Sequence, residues 1–205
     1  MQRHRIGISI ALVAGVGLLA ACAGRPPAVA EKPPSEGGEV APSASIALAF
    51  DPTDGSLLLA DRDGLARWRN GAWDSLALPE AASLSGVMLN PDQSDTVYVS
   101  GPGLGVMRSD DGGANWREVN TGLPGLDVTA LALHSFRRET LYVWVKDNGI
   151  YRTEDGGANW SKMPDQGPPD TDVRGLTHST LPGSMNTGWL YAATPTGAYL
   201  TMDCF

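Results

Sequence analysis

The sequence predicts an all-β fold, a β-propeller of which about four blades are visible, and three observations point there. Residues Ser109 to Trp116 return forty-four positions later as Thr153 to Trp160, identical at Asp111/Asp155, at both glycines, at the Ala-Asn pair and at the Trp. Short runs rich in Val, Leu, Tyr and Trp recur between Gly, Pro, Asp and Asn, which is how strands and their turns read. Glycines at 64, 105, 149 and 197 open equivalent runs, and their spacings of 41, 44 and 48 residues match the period of propeller blades.

Taken in order, each unit offers the strands of one blade. Predicted first strands are residues 46–50, 86–89, 128–133 and 173–177, and predicted second strands are 56–60, 96–100, 140–145 and 189–193. Third strands follow the four glycines, and fourth strands begin at Trp73, Trp116 and Trp160. In the first unit Asn70-Gly71 marks a tight hairpin, since both residues tolerate positive φ. The fourth unit starts the turn motif at Thr201-Met202-Asp203 and shows no fourth strand, so the expectation is an incomplete or truncated propeller, or one that a partner chain closes.

The repeated turn explains itself chemically. Gly takes positive φ without steric cost, an Asp accepts backbone N–H bonds inside a turn, and the Trp packs across the joint while its indole N–H seeks an acceptor. On these residues the motif resembles the Asp-box, or BNR, pattern Ser/Thr-x-Asp-x-Gly-x-Thr-Trp, with Asn115 and Asn159 where that family prefers Thr. The pattern is shared by sialidases, sortilin-type receptors, xyloglucanase-type glycosidases and photosystem II assembly-factor-like proteins. The resemblance implies a structural turn at the blade periphery, made here by Ser109, Asp111, Gly113 and Trp116 and again by Thr153, Asp155, Gly157 and Trp160.

Residues 1–21 carry Arg3 and Arg5 and then an apolar run, the layout of a signal peptide. Leu19-Ala20-Ala21-Cys22 resembles a bacterial lipobox, which implies cleavage before Cys22 and lipid attachment there. Residues 23–45 hold five prolines and no aromatic residue, too little apolar area to offset ordering, so 22–45 is expected to be a disordered tether and 46–205 the repeat domain. The expected location is the extracytoplasmic side of a bacterial envelope, anchored at the outer membrane or periplasmic face.

Losing residues 1–21 takes the net charge from −8 to −10, with no cluster of Lys and Arg, which argues against nucleic acid. With Cys22 lipidated, Cys204 has no disulfide partner. No cofactor is expected. His134 and His178 fall at one repeat position, where the first two units have Asp51 and Asn90, so they read as turn-closing acceptors and no metal site is expected. Tyr98, Tyr142 and Tyr191 share another position and read as blade packing, and Arg67, Arg108 and Arg152 share a third, beside the turn motif, where they brace its carboxylates or form a basic stripe. Gly101, Gly103 and Gly105 read as loop punctuation rather than a phosphate cradle.

The resemblance also names catalytic requirements. A sialidase would need an arginine triad, yet Arg174 stands alone on the predicted inner strands and no Glu joins it. Asp61 to Trp68 is similar to the Asp-x-Gly-Gly-Ala-Tyr-Arg-Trp stretch that holds a catalytic Asp in xyloglucanases, departing at the first Gly and at the Tyr. That makes Asp61 the single weak catalytic candidate, without the second carboxyl that glycoside hydrolysis requires. The reading is a membrane-anchored, non-catalytic binding or scaffold module that recognises a protein or glycan. Its alternatives are a glycoside hydrolase and an assembly factor for a membrane complex.

Overall fold

Four antiparallel sheets follow one another along the chain, and a computed structural model describes residues 45–79, 82–164, 167–179 and 188–202 of them. Blade 1 contains β1 (Ser45–Phe50), β2 (Leu57–Asp61), β3 (Leu65–Arg69) and β4 (Ala72–Leu76). Blade 2 contains β5 (Gly86–Leu89), β6 (Val97–Gly101), β7 (Gly105–Ser109) and β8 (Arg117–Glu118). Blade 3 contains β9 (Val128–Leu133), β10 (Leu141–Val145), β11 (Gly149–Thr153) and β12 (Ser161–Lys162). Blade 4 is described as β13 (Gly175–His178), β14 (Trp189–Thr194) and β15 (Gly197–Met202). Within each sheet the strands pair in chain order. This is the all-β propeller arrangement, and no helix occurs among the described residues.

The residues explain the pairing. The turn Asn70-Gly71 joins β3 to β4 with φ of 53° and 86°, the two positive values that a two-residue hairpin of right-handed twist requires. Strand residues alternate between two apolar faces, so every inner sheet is buried on both sides. One face of each blade packs on the opposite face of the next. Leu58, Ala60 and Leu65 of blade 1 meet Val87, Leu89, Val97 and Val99 of blade 2. Tyr98 and Val106 meet Leu131, Leu141, Val143 and Tyr151 of blade 3, and Tyr142, Trp144 and Ile150 meet Leu176, Leu190 and Ala192 of blade 4. Tyr98 and Tyr142 are fully buried at these junctions, as packing residues should be.

Inner strands are stitched from blade to blade by hydroxyls. Ser85 Oγ donates to the Val128 carbonyl at 2.7 Å, and Thr129 Oγ1, one unit later, donates to the Val173 carbonyl at 2.8 Å. At the first blade the outward face is bare: Leu48 and Phe50 are 61% and 60% exposed, whereas their counterparts in blade 2, Val87 and Leu89, are buried.

Register corrects one equivalence drawn from spacing. Ser179 N donates to the Trp189 carbonyl, just as His134 N donates to the Thr140 carbonyl, so the residue matching His134 is Ser179, not His178. His178 pairs with Leu190 where Leu133 pairs with Leu141. One extra residue between blades 3 and 4 causes the slip, and a slip of one turns a side chain to the other face of the sheet. His178 therefore points back at blade 3, where its ring stacks on His134 at 4.0 Å.

Candidate binding site

The recurring turns come first, because they set the outer wall of each junction. In the blade-2 turn, Ser109 Oγ accepts the Gly113 N–H at 2.8 Å and donates to Asp111 Oδ1 at 2.8 Å. Asp111 also accepts the Asn115 backbone N–H at 2.8 Å and the Asn115 side-chain amide at 2.7 Å. Blade 3 repeats the set with Thr153, Asp155, Gly157 and Asn159. Each asparagine thus adds a side-chain amide donor to the turn carboxylate. Bonds from Asn115 and then from Ser109 draw the Asp111 carboxyl down to about 2, and the Thr153 hydroxyl followed by Asn159 lowers Asp155 as well.

Each turn is also a contact with the blade before it. A Cβ on Gly113 would come within 2.9 Å of Leu76 Cδ1, and one on Gly157 within 2.9 Å of Val119, so only Gly lets the turn close on its neighbour. Trp116 Nε1 donates to the Ala77 carbonyl at 3.1 Å, and Trp160 Nε1 donates to the Val119 carbonyl at 2.6 Å. Trp160 fills the outer end of the junction between blades 2 and 3, among Val106, Val119, Leu123 and Tyr151.

Arginines at the shared position do more than brace their own turn. Arg108 donates to Asp110 at 2.7 Å, to Glu139 at 3.0 Å and to the Gly156 carbonyl of the next blade's turn at 3.3 Å. The carboxylate it holds is therefore Asp110, not Asp111. Arg152 pairs with Glu154, the counterpart of Asp110, at 3.2 Å. An Nη1 of Arg67 lies 3.3 Å from where a Gly112 Cβ would be, so this arginine too reaches forward to the following blade.

Blade 4 is where the pattern leaves a gap. Ile150, Leu176, Leu190, Ala192 and Tyr199 correspond in register to Val106, Leu131, Leu141, Val143 and Tyr151. In the earlier junction that set surrounds Trp160. In this one it lines an apolar cavity of about 130 Å³ together with Pro168 and Pro169. Polar groups converge beside it. Thr196 Oγ1 donates to Asp170 Oδ2 at 3.0 Å and lies 3.1 Å from the Tyr199 hydroxyl. Arg174 Nη2 donates to Asp172 at 2.6 Å on the same loops. An apolar hollow with a few oriented polar groups is the usual form of a binding site. Spacing alone could not have found it, since its walls come from residues up to fifty positions apart.

Other residues singled out from the sequence have different surroundings. Asp61 sits at the end of β2, where its Oδ1 accepts the Asp63 and Gly64 N–H groups at 2.8 and 2.9 Å, closing the turn into β3. Asp51, Asn90 and His134 close the turns after their inner strands: Asp51 accepts from Thr53 N, Asn90 from Asp92 N, and His134 Nδ1 from Phe136 N and Arg137 N. His178 Nδ1 accepts from Ser135 N at 3.1 Å. Among the described residues, no three His, Cys, Asp or Glu side chains are grouped to hold a metal ion. Arg174 lies one residue before β13 and is exposed, not on an inner strand. Gly103 N donates to Asp127 Oδ1 in a loop, as punctuation requires. Cys22, the signal and tether, and Cys204 lie outside the described residues.

No protein-family model matches the sequence, and no curated protein matches it significantly. Solved structures do resemble its fold. The nidogen chain in a nidogen/laminin complex superposes with a TM-score of 0.62 at 18% identity, over 77% of this chain and 60% of that one. YCF48 bound to D1 peptide gives 0.57 at 19% identity, over 82% and 55%. A GH74 xyloglucanase from Xanthomonas campestris gives 0.52 at 21% identity, over 72% and 26%. The chain thus spans between a quarter and three fifths of these proteins, and at such identities the likeness shows one thing, the β-propeller fold.

Proposed function

We propose that this chain is a non-catalytic propeller module of the Asp-box type that binds a protein or a glycan at the bacterial cell envelope, tethered there through lipid on Cys22. The observation carrying this reading is the hollow between blades 3 and 4, apolar within and lined by Tyr199, whose hydroxyl meets the Thr196–Asp170 pair. Its support from other molecules is that two propellers of similar fold were captured with protein ligands, laminin and a D1 peptide. Turn chemistry consumes the other conspicuous carboxylates, Asp61, Asp111 and Asp155, which favours recognition over reaction. To test it, a photo-crosslinking amino acid is placed at Tyr199 and, separately, at exposed Glu154 in cells producing the chain. Reproducible adducts from Tyr199 and none from Glu154 support the site, while equal or absent labelling from both sinks it. Palmitate incorporation that vanishes in Cys22→Ser tests the anchor.

A second reading, glycoside hydrolysis, draws on the fold likeness to GH74 enzymes and on Asp61. Turnover of a fluorogenic glycoside panel, abolished by Asp61→Asn, would replace the first reading.

A further inference from the structure

Of the chain's three histidines, His4, His134 and His178, the last two meet where blade 3 packs on blade 4. Both are buried, at 1% and 8% exposure, and their rings stack 4.0 Å apart at 24°. Each turns the same nitrogen to the backbone. His134 Nδ1 accepts the N–H groups of Phe136 at 3.0 Å and Arg137 at 3.1 Å, and His178 Nδ1 accepts that of Ser135 at 3.1 Å. A ring nitrogen that accepts carries no proton, so both imidazoles are neutral and hold their proton on Nε2. Ser135 Oγ adds a bond to the His178 carbonyl at 3.0 Å. The turn after β9 is thus fastened to the inner strand of blade 4 through two uncharged rings.

We infer that this pair is an acid-sensitive clasp: a proton taken up at His134 Nδ1 loosens the junction between blades 3 and 4 and leaves the other junctions shut. The proton, coming from solvent, occupies the lone pair that now receives Phe136 and Arg137, so both bonds break and two backbone N–H groups lose their acceptor. It also puts a cation inside a buried ring stack. His178 is better protected, since Ser135 Oγ lies 3.0 Å from its Nδ1 and accepts from a protonated ring. Among the described residues, the carboxylates near this turn are already paired. Arg137 of the turn holds Glu154 at 3.8 Å, Arg138 holds Asp92 at 2.8 Å, and Arg108 holds Glu139 at 3.0 Å. β10 contributes the Tyr142 ring, parallel to His178 at 5.9 Å, Phe136 meets both imidazoles edge-on, and residues 180–187 contain no titratable side chain. Blades 1 and 2 close their matching turns with Asp51 and Asn90, so the device belongs to one junction. Imidazole is the side chain that ordinarily titrates between about pH 5 and pH 8, and mild acid therefore reaches this clasp before the turn carboxylates. The unfolded chain takes up protons that the closed junction excludes, so the junction weakens as pH falls.

Peptide-resolved amide hydrogen exchange on the full chain in detergent, at about pH 7.5 and about pH 5.5 and corrected for the intrinsic pH dependence of exchange, tests it. Residues 134–140 and 189–202 should lose protection by at least about tenfold in acid, while residues 97–109 of blade 2 keep theirs. His134→Asn installs the residue that blade 2 uses at this place, and it should abolish the acid loss. Equal loss in blade 2, no loss at the lower pH, or an acid loss that persists in His134→Asn overturns the inference. Should that variant fail to fold, the ring nitrogen resonances of the unaltered chain decide. An unprotonated His134 Nδ1 at the higher pH, gaining its proton over the range in which protection disappears, supports the clasp. A protonated Nδ1 at the higher pH, or protonation out of step with the loss of protection, refutes it.

Discussion

The junction between blades 2 and 3 and the junction between blades 3 and 4 are built from the same five wall positions, yet one is solid and the other hollow. Trp160 makes the difference. At the first junction it is 4% exposed, donates to Val119, and touches both blades. At the second no such residue is present among the described ones, and two prolines and a tyrosine border empty space. A propeller junction therefore consists of two separable parts, a sheet-on-sheet core near the axis and an aromatic plug near the rim. The core holds the blades together, and at the rim Trp160 fills one junction while the other keeps a hollow among the described residues.

The largest expected effect comes from removing the plug. Trp160→Ala should lower stability in chemical denaturation by about 3–5 kcal/mol, the range for deleting a buried aromatic side chain. Trp116→Ala should cost less, since Trp116 is only partly buried. If the two variants cost the same, the plug does not owe its effect to burial. Next, Gly122→Ala should destabilise by more than about 1 kcal/mol, because Gly122 has φ of 93° and an added Cβ would meet the Trp160 carbonyl at 2.3 Å. Filling the hollow should do the opposite. Ala192→Val restores the residue found at the sealed one and should raise stability by about 1 kcal/mol, in the range of cavity-filling changes. A loss of melting temperature would show that the hollow is shaped by constraint rather than by missing volume.

The smallest effect is in pH. The Asp111 carboxyl is held at about 2 in the folded protein, below its ordinary value of 3.8. A depressed folded value gives stability that is fully present above the unfolded pKa and is lost as pH falls toward the folded one. Wild-type melting temperature should therefore drop between about pH 4 and pH 2 more steeply than that of Asp111→Asn. Parallel pH profiles would mean that the turn bonds do not respond to ionisation. Asp111→Ala and Asp155→Ala should each lower the melting temperature at neutral pH by removing those bonds.

The turns were legible in the sequence because their chemistry is local. Ser109, Asp111, Gly113 and Asn115 bond to one another within a few residues, and Asn70-Gly71 needs only its own φ values. Strand positions followed from alternation and from glycine spacing, and three of the four inner strands lie within a residue of where the pattern puts them. The misplaced element is the fourth, where residues 173–177 read as strand but β13 is Gly175–His178. The strand starts one residue after Arg174, and one inserted residue sets His178 against His134, a contact that no spacing rule reports because register depends on the partner strand. Asp61, the weak catalytic candidate, accepts two backbone N–H groups in the turn between β2 and β3.

Residue order was enough for fold class, for turn chemistry and for the repeat itself, since each depends on neighbours a few bonds apart or on a recurring period. Only the folded chain could show which blade face is covered, how Arg108 reaches the following blade, and where five equivalent residues line a hollow. Those features depend on volumes and directions contributed by segments forty or more residues apart, and such sums exist only once the sheets have packed.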